Sequence, residues 1–220
     1  MYLETINSPA DVKKLSVEEM TALAAEMREA LIVRASRHMG HVGPDLGFIE
    51  ATVALHAVFS SPEDKIIYDI SHQTYPHKML TGRREAYTDP AHYDDVSAYS
   101  NPKESPHDFF ELGHTSVSID LALGMAKARN LLGGTEKVVA VIGDGSLSGG
   151  EALEGLNTAG EFKGQFLILV NDNQMSIAEN HGGLYASLEA LRDSNGTSEN
   201  NLFRAMGLDY RYEASGNDIG

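Results

Sequence analysis

The chain has 220 residues, 42% hydrophobic and 22% charged, enough apolar material for one domain with a sizeable core. Its formal net charge of −15 argues against nucleic acid and anionic membrane surfaces as partners. With no cysteine there is no disulfide, iron–sulfur cluster or thiolate zinc site, and no apolar run approaches the about 20 residues of a membrane span.

The first segment, MYLETINSPADVKKL, lacks the apolar stretch of a signal peptide, so a cytoplasmic location is expected. Ser16-Val17-Glu18-Glu19 is a capping-box signature. The helix it opens carries Met20, Leu23, Met27, Ala30 and Leu31 on one face and is expected to end near Arg37. A glycine-punctuated loop, SRHMGHVGPDLG, holds His38 and His41. A largely apolar helix follows from about Phe48 to Phe59, and His56 on it reads as a core or interface residue. Lys65 to Ile70 reads as the first strand and runs into SHQTYPHK. Histidines at a strand's carboxyl end are better placed for chemistry than histidines on a helix face. Residues 81–112 lack periodicity and hold Pro90, Pro102 and Pro106, the mark of a functional or mobile segment. Gly113-His114-Thr115-Ser116 opens a helix reaching about Asn130, with Thr115 or Ser116 as its cap.

The centre of the chain is VVAVIGDGSLSGGEALEGLNTAGEFKGQFLILVNDNQM. Val138 to Ile142 is short, apolar and β-branched, which describes a buried parallel strand. It ends in Gly143-Asp144-Gly145, a turn in which glycine lets backbone N–H groups approach a ligand. A helix is expected from about Gly150 to Phe162, burying Leu153, Leu156 and Ala159 or Gly160. A second strand, Phe166 to Val170, ends in Asn171-Asp172-Asn173. Helices at Leu184 to Arg192 and Asn201 to Met206, then a strand at Leu208 to Tyr212, complete the alternation. The pattern is α/β, a mostly parallel sheet with helices on both faces.

Open parallel sheets bind ligands at their strands' carboxyl ends. The glycine turn and the following helix favour a diphosphate, yet Asp144 inside the turn would repel one. A hard divalent cation resolves that conflict, because magnesium accepts carboxylate, amide and carbonyl oxygens together with phosphate. Asn173 and the carbonyl of Met175 are the other expected ligands. A dinucleotide fingerprint is the competing reading, with Asp172 as the ribose acid. It fails at Ser148, which stands where the third glycine belongs, and gives no reason for Asp144 or Asn173. A zinc site is rejected for want of an HExxH motif or cysteine.

GDG followed by NDN at this spacing resembles the thiamine diphosphate motif of the transketolase superfamily. The longer string GDGSLSGGEALEGLNTAGEF…NDNQMSIAEN, with HQTYPHKMLTGR, resembles the first domain of the 1-deoxy-D-xylulose-5-phosphate synthase family. The resemblance implies a thiamine diphosphate-binding fold of the diphosphate (PP) type over 1–220. It implies an enzyme of isoprenoid biosynthesis that joins pyruvate to glyceraldehyde 3-phosphate. It implies thiamine diphosphate and Mg2+ as cofactors, with metal ligands Asp144, Asn173 and Met175. Cofactor contacts would be His72, Gly113, His114, Thr115, Gly145, Ser146 and Asn173. His41 and His72 would be catalytic, His41 shuttling protons on the substrate side. Glu154 would be an interface carboxylate of a homodimer, whereas its plain reading, with Glu151, is charge at a helix start.

The family's pyrimidine-binding and C-terminal domains have no counterpart in these residues, so a pyrimidine-binding domain is expected as partner, in cis or in trans. The other readings are the first subunit of a split transketolase and a non-catalytic cofactor-binding homologue. Ser71 stands where the family usually has glycine, and HVGPDLG departs from the family's wording; both leave donor and acceptor identity open.

Overall fold

In the computed structural model, which describes residues 1–176 and 178–220, Ser16 caps the first long helix, α1 (Val17–Ala35). Ser16 Oγ accepts from the Glu19 amide, and the Glu19 carboxylate accepts from the Ser16 amide at 2.8 Å. The described residues gather into two units: Met1–Lys65, Ser71–Gly113 and Gly216–Gly220 in the first, Ile66–Ile70 and His114–Ser215 in the second.

The first unit is built on α1 and α2 (Ile49–Val58). Leu23, Met27 and Leu31 of α1, the helical spacing expected, pack with Ile49, Val53, Met79, Leu80 and Tyr87. Residues 81–112 form short turns, among them Glu85–Thr88 and Pro90–His92. Buried ion pairs fasten this stretch. Lys78 reaches Glu104 at 2.7 Å and the Ser97 carbonyl at 2.8 Å. Arg83 holds Asp108 through two bonds of 2.7 and 2.8 Å. The low periodicity of this segment thus reflects polar fastening beside the few apolar residues, Ala86 and Tyr87 among them, that join the core.

A buried histidine chain extends that network. His77 Nε2 lies 3.1 Å from Asp108 Oδ1, and His77 Nδ1 lies 2.9 Å from His56 Nε2. Burial alone would raise Asp108, but the bonds from Arg83 and His77 outweigh it and hold the carboxyl far below its ordinary range. An ionised Asp108 accepts, so His77 carries its proton on Nε2 and accepts at Nδ1 from His56 Nε2–H. His56 Nδ1 is then a bare acceptor, buried and without a partner among the described residues. His56 is a core residue, as its apolar helix suggested.

The second unit carries a three-stranded parallel sheet in the order β1 (Lys65–Tyr68), β2 (Val138–Gly143), β3 (Leu167–Asn171). The expected α/β class is present. The central β2 is buried from Val138 to Ile142, as a strand covered on both faces must be. Its register with β3 places Gly143 opposite Asn171, so the two polar clusters lie side by side. Its longer helices are α3 (Ser118–Leu132), α4 (Gly150–Ala159) and α5 (Gly183–Asp193). α3 and α4 approach closely at Gly155, where a Cβ would lie 2.8 Å from Ile119 Cγ2.

Two expectations fail here. Leu208 to Tyr212 is not a strand. The Leu208 amide bonds to the Phe203 carbonyl to close the Leu202–Ala205 turn, and Tyr210 stacks on Phe203 at 5.1 Å, so its alternation serves local packing. Neither Thr115 nor Ser116 caps α3. Asp69, just past β1, does so: its carboxylate accepts from the Ser116 and Ser118 amides at 2.8 and 2.9 Å. A cap supplied from a distant strand has no local sequence signal.

Candidate functional site

The strand ends of the second unit bring a group of polar residues together. After β2 the chain turns at once into a short helix, Asp144–Leu147, so the amides of Gly145 and Ser146 lie in its first turn. Asp144 is buried, 2% exposed. Burial first, and the neighbouring Asp172 second, raise its carboxyl above the ordinary value. Its Oδ2 accepts from Asn180 Nδ2 at 2.9 Å. Asp172 is ion-paired with Arg192 of α5. A Cβ on Gly145 would lie 3.0 Å from Ser176 Cβ, so the turn and the 173–176 segment lie close together.

Asn173 is exposed and its Oδ1 accepts from the Met175 amide at 3.0 Å, a local turn. Gln174 between them has φ 64°, and Met175 is 58% exposed and bridges to Glu179. The segment therefore stands open beside a buried carboxylate. The sequence reading missed Asn180, Arg192 and Tyr185, whose hydroxyl lies 3.5 Å from the Gly145 carbonyl. The only signal for them was polarity following the NDN triplet.

The Gly-His-Thr turn is held by its neighbours. His114 Nδ1 lies 2.7 Å from the Thr115 carbonyl, and Thr115 Oγ1 lies 3.0 Å from Ser116 Oγ. Ser116 Oγ donates to the Ser146 carbonyl at 2.7 Å, joining this turn to the Asp144 turn. Gly149 permits that link, since a Cβ there would collide with Ser116 Oγ. At Gly113 a Cβ would meet nothing within 4 Å.

In the first unit, His41 and His72 come together. Their ring centroids are 6.1 Å apart, edge to face, and His41 meets Tyr99 at 5.2 Å. His72 Nδ1 lies 3.1 Å from Gln73 Oε1. The remaining histidines go elsewhere. His38 bonds Asp94, His92 pairs with Asp95, and His107 Nδ1 lies 2.9 Å from Ser61 Oγ. Among the described residues no three His, Asp or Glu side chains converge to hold a metal. A cation here would rest on the one buried carboxylate and on neutral oxygens. Glu151 and Glu154 on α4 are exposed and lie near Asp120, which burial first and these two acids second push upward.

Comparison with known proteins gives a consistent answer. The family described as 1-deoxy-D-xylulose-5-phosphate synthase matches residues 3–209. A 1-deoxy-D-xylulose-5-phosphate synthase of Carboxydothermus hydrogenoformans is 50% identical over 190 residues, 86% of this chain and 30% of that protein. The 1-deoxy-D-xylulose-5-phosphate synthase 2 of Geobacter sulfurreducens is 50% identical over 182 residues, 83% and 29% of the two chains. That of Brevibacillus brevis is 48% identical over 194 residues, 88% and 31%. The chain spans about 30% of the length of these curated relatives.

Proposed function

The chain belongs to the 1-deoxy-D-xylulose-5-phosphate synthase family, and from that membership we propose that it supplies the diphosphate and magnesium half of a thiamine diphosphate-dependent transferase site. The reaction is the union of pyruvate and glyceraldehyde 3-phosphate to 1-deoxy-D-xylulose 5-phosphate and CO2, a step toward isoprenoids. Residues 1–220 are read as one diphosphate-binding domain. The pyrimidine-binding part comes from residues outside this sequence, in the same chain or another, and the working form is a homodimer. The reaction needs no nucleic acid or membrane, and we place the enzyme in the cytoplasm. Among the described residues no helix is long and apolar enough to cross a membrane.

The observation that carries this reading is the pair of clusters at the ends of β2 and β3, with Asp144 buried beside Asp172. Two close carboxylates, one of them buried and bonded only to neutral partners, suit a cation. One carboxylate with amide and carbonyl oxygens suits magnesium better than zinc. Asp144, the Asn173 side chain and the Met175 carbonyl would hold it. The Asn173 oxygen would leave its local turn to do so. In the second unit the amides of Gly145 and Ser146, with His114 and Thr115, would hold the cofactor; for His72 and Gly113 the same role rests on the family resemblance. Thiamine diphosphate, when bound, would supply a cationic ring with an acidic carbon as nucleophile toward a 2-oxo acid and with the capacity to take up the electron pair left by loss of CO2. His41 moves protons on the substrate side, the task of an imidazole near neutral pH.

Turnover tests the assignment. The 220-residue chain alone should not convert the two substrates, and adding the remaining part of a relative in trans should start turnover. In that mixture His41→Ala should lower kcat by about a hundredfold, with cofactor affinity little changed. Activity of the chain alone would overturn the half-site reading. An unaffected His41→Ala enzyme would remove that histidine from the chemistry.

A further inference from the structure

His41 Nδ1 and Asp45 Oδ2 are buried polar atoms of the first unit with no partner among the described residues. Both residues line one small cavity. The cavity has a volume of about 10 Å³ and is walled by Leu31, Arg34, Gly40 and Tyr75. That volume is about one water, and a water needs two to four polar partners. Unpaired buried groups are rare, and two on residues that line one small cavity call for a common explanation. We propose that Asp45, through a single water in this cavity, fixes which nitrogen of His41 carries the proton. It is a positioning residue for His41.

The direction follows from the other contacts of Asp45. The residue is fully buried, and its Oδ1 accepts from the Tyr75 amide at 2.9 Å. Burial raises its carboxyl well above the ordinary value; the Tyr75 amide, Arg34 and Lys78 oppose the rise without overcoming it. Arg34 is committed elsewhere: its guanidinium donates to the Ala86 and Tyr93 carbonyls at 3.0 Å and lies 5.0 Å from the Tyr75 ring centre. With Oδ1 taken by the Tyr75 amide and no hydrogen bond from Arg34, the proton that burial favours sits on Oδ2. Oδ2–H donates to the water, and the water donates to His41 Nδ1. A neutral His41 with Nδ1 accepting has its proton on Nε2. An ionised Asp45 would reverse the chain and put the proton on Nδ1.

The inference deepens the reading of His41 as a proton carrier, but its test needs no turnover. Nitrogen-15 NMR of the histidine-labelled chain near neutral pH reads the tautomer directly. His41 should be in the Nε2–H form in the wild type. Asp45→Asn offers Nδ2–H in place of Oδ2–H and should keep that form. Asp45→Ala, shown folded by circular dichroism, should shift the tautomer ratio about tenfold toward Nδ1–H, the size of one lost buried hydrogen bond. A wild type in the Nδ1–H form overturns the proposal without recourse to any variant. So does an unchanged ratio in folded Asp45→Ala. A His41→Ala enzyme with full turnover, beside an Nε2–H wild type, would instead sink the catalytic role of His41 and leave the link to Asp45 intact.

Discussion

Ser71 sits at φ 70°, a conformation that costs an L side chain about 1 kcal/mol or more and costs glycine little. A glycine at this position would carry no such strain. The hydroxyl gives a reason. Ser71 Oγ accepts from the buried Ser100 amide at 2.9 Å and donates to the Leu112 carbonyl at 3.3 Å, tying both ends of the 100–112 stretch to the residue before His72. Denaturant titration should separate the two effects. Ser71→Ala keeps the strain and loses the clasp, so it should be the least stable; Ser71→Gly should lie about 1 kcal/mol above it. Equal stabilities would mean the backbone is not strained. The serine itself was visible in the sequence. Its role was not, because Ser100 and Leu112 are remote in the chain. The same holds for the site: Asp144, Gly145 and Asn173 were legible as a spaced motif, whereas Asn180 on Asp144 and the Asp45 cavity depend on chain paths that no motif encodes.

At the scale of elements, local signals placed what local chemistry decides. The capping box fixed the start of α1, and β-branched runs fixed β2 and β3 to within a residue. The cap of α3 shows the opposite case, since its acceptor, Asp69, lies at the end of β1. This buried carboxylate satisfies two amides that would otherwise be orphaned and lies at the favourable end of the helix dipole. Asp69→Ala should cost about 2–3 kcal/mol by urea titration, the range for a charge-assisted buried bond. A loss below about 0.5 kcal/mol would show that water replaces it. The link from β1 to α3 also holds Ser116, directly after His114 and Thr115, so the variant should weaken cofactor binding as well as stability.

For the whole molecule, the distribution of buried ionisable groups gives a pH response with a definite sign. Burial lowers His56 and His77, and burial above all takes His107 to about 4. These groups stay neutral in the fold, while unfolded histidine titrates near pH 6.5. Below that value the unfolded chain binds more protons, so their contribution is full above about pH 6.5 and is lost as pH falls toward 4. Asp108 and Glu104, held low, lose their contribution in a lower window, below the ordinary carboxylate range. Asp45, held high, works the other way, since the unfolded chain releases the proton the fold retains. Hydrogen exchange at pH 5.5 against 7.5 should show amides around His56 and His77 losing protection while those of β2 keep theirs; uniform loss would refute a local origin. The central claim remains the cation-anchored diphosphate at the ends of β2 and β3. Calorimetry of the chain with thiamine diphosphate, with magnesium and with chelator, tests it most directly. The wild type should bind only with magnesium, and Asp144→Ala should bind at least about tenfold more weakly, a change of about 1.4 kcal/mol. Equal affinity in the variant, or binding indifferent to chelator, would contradict the account.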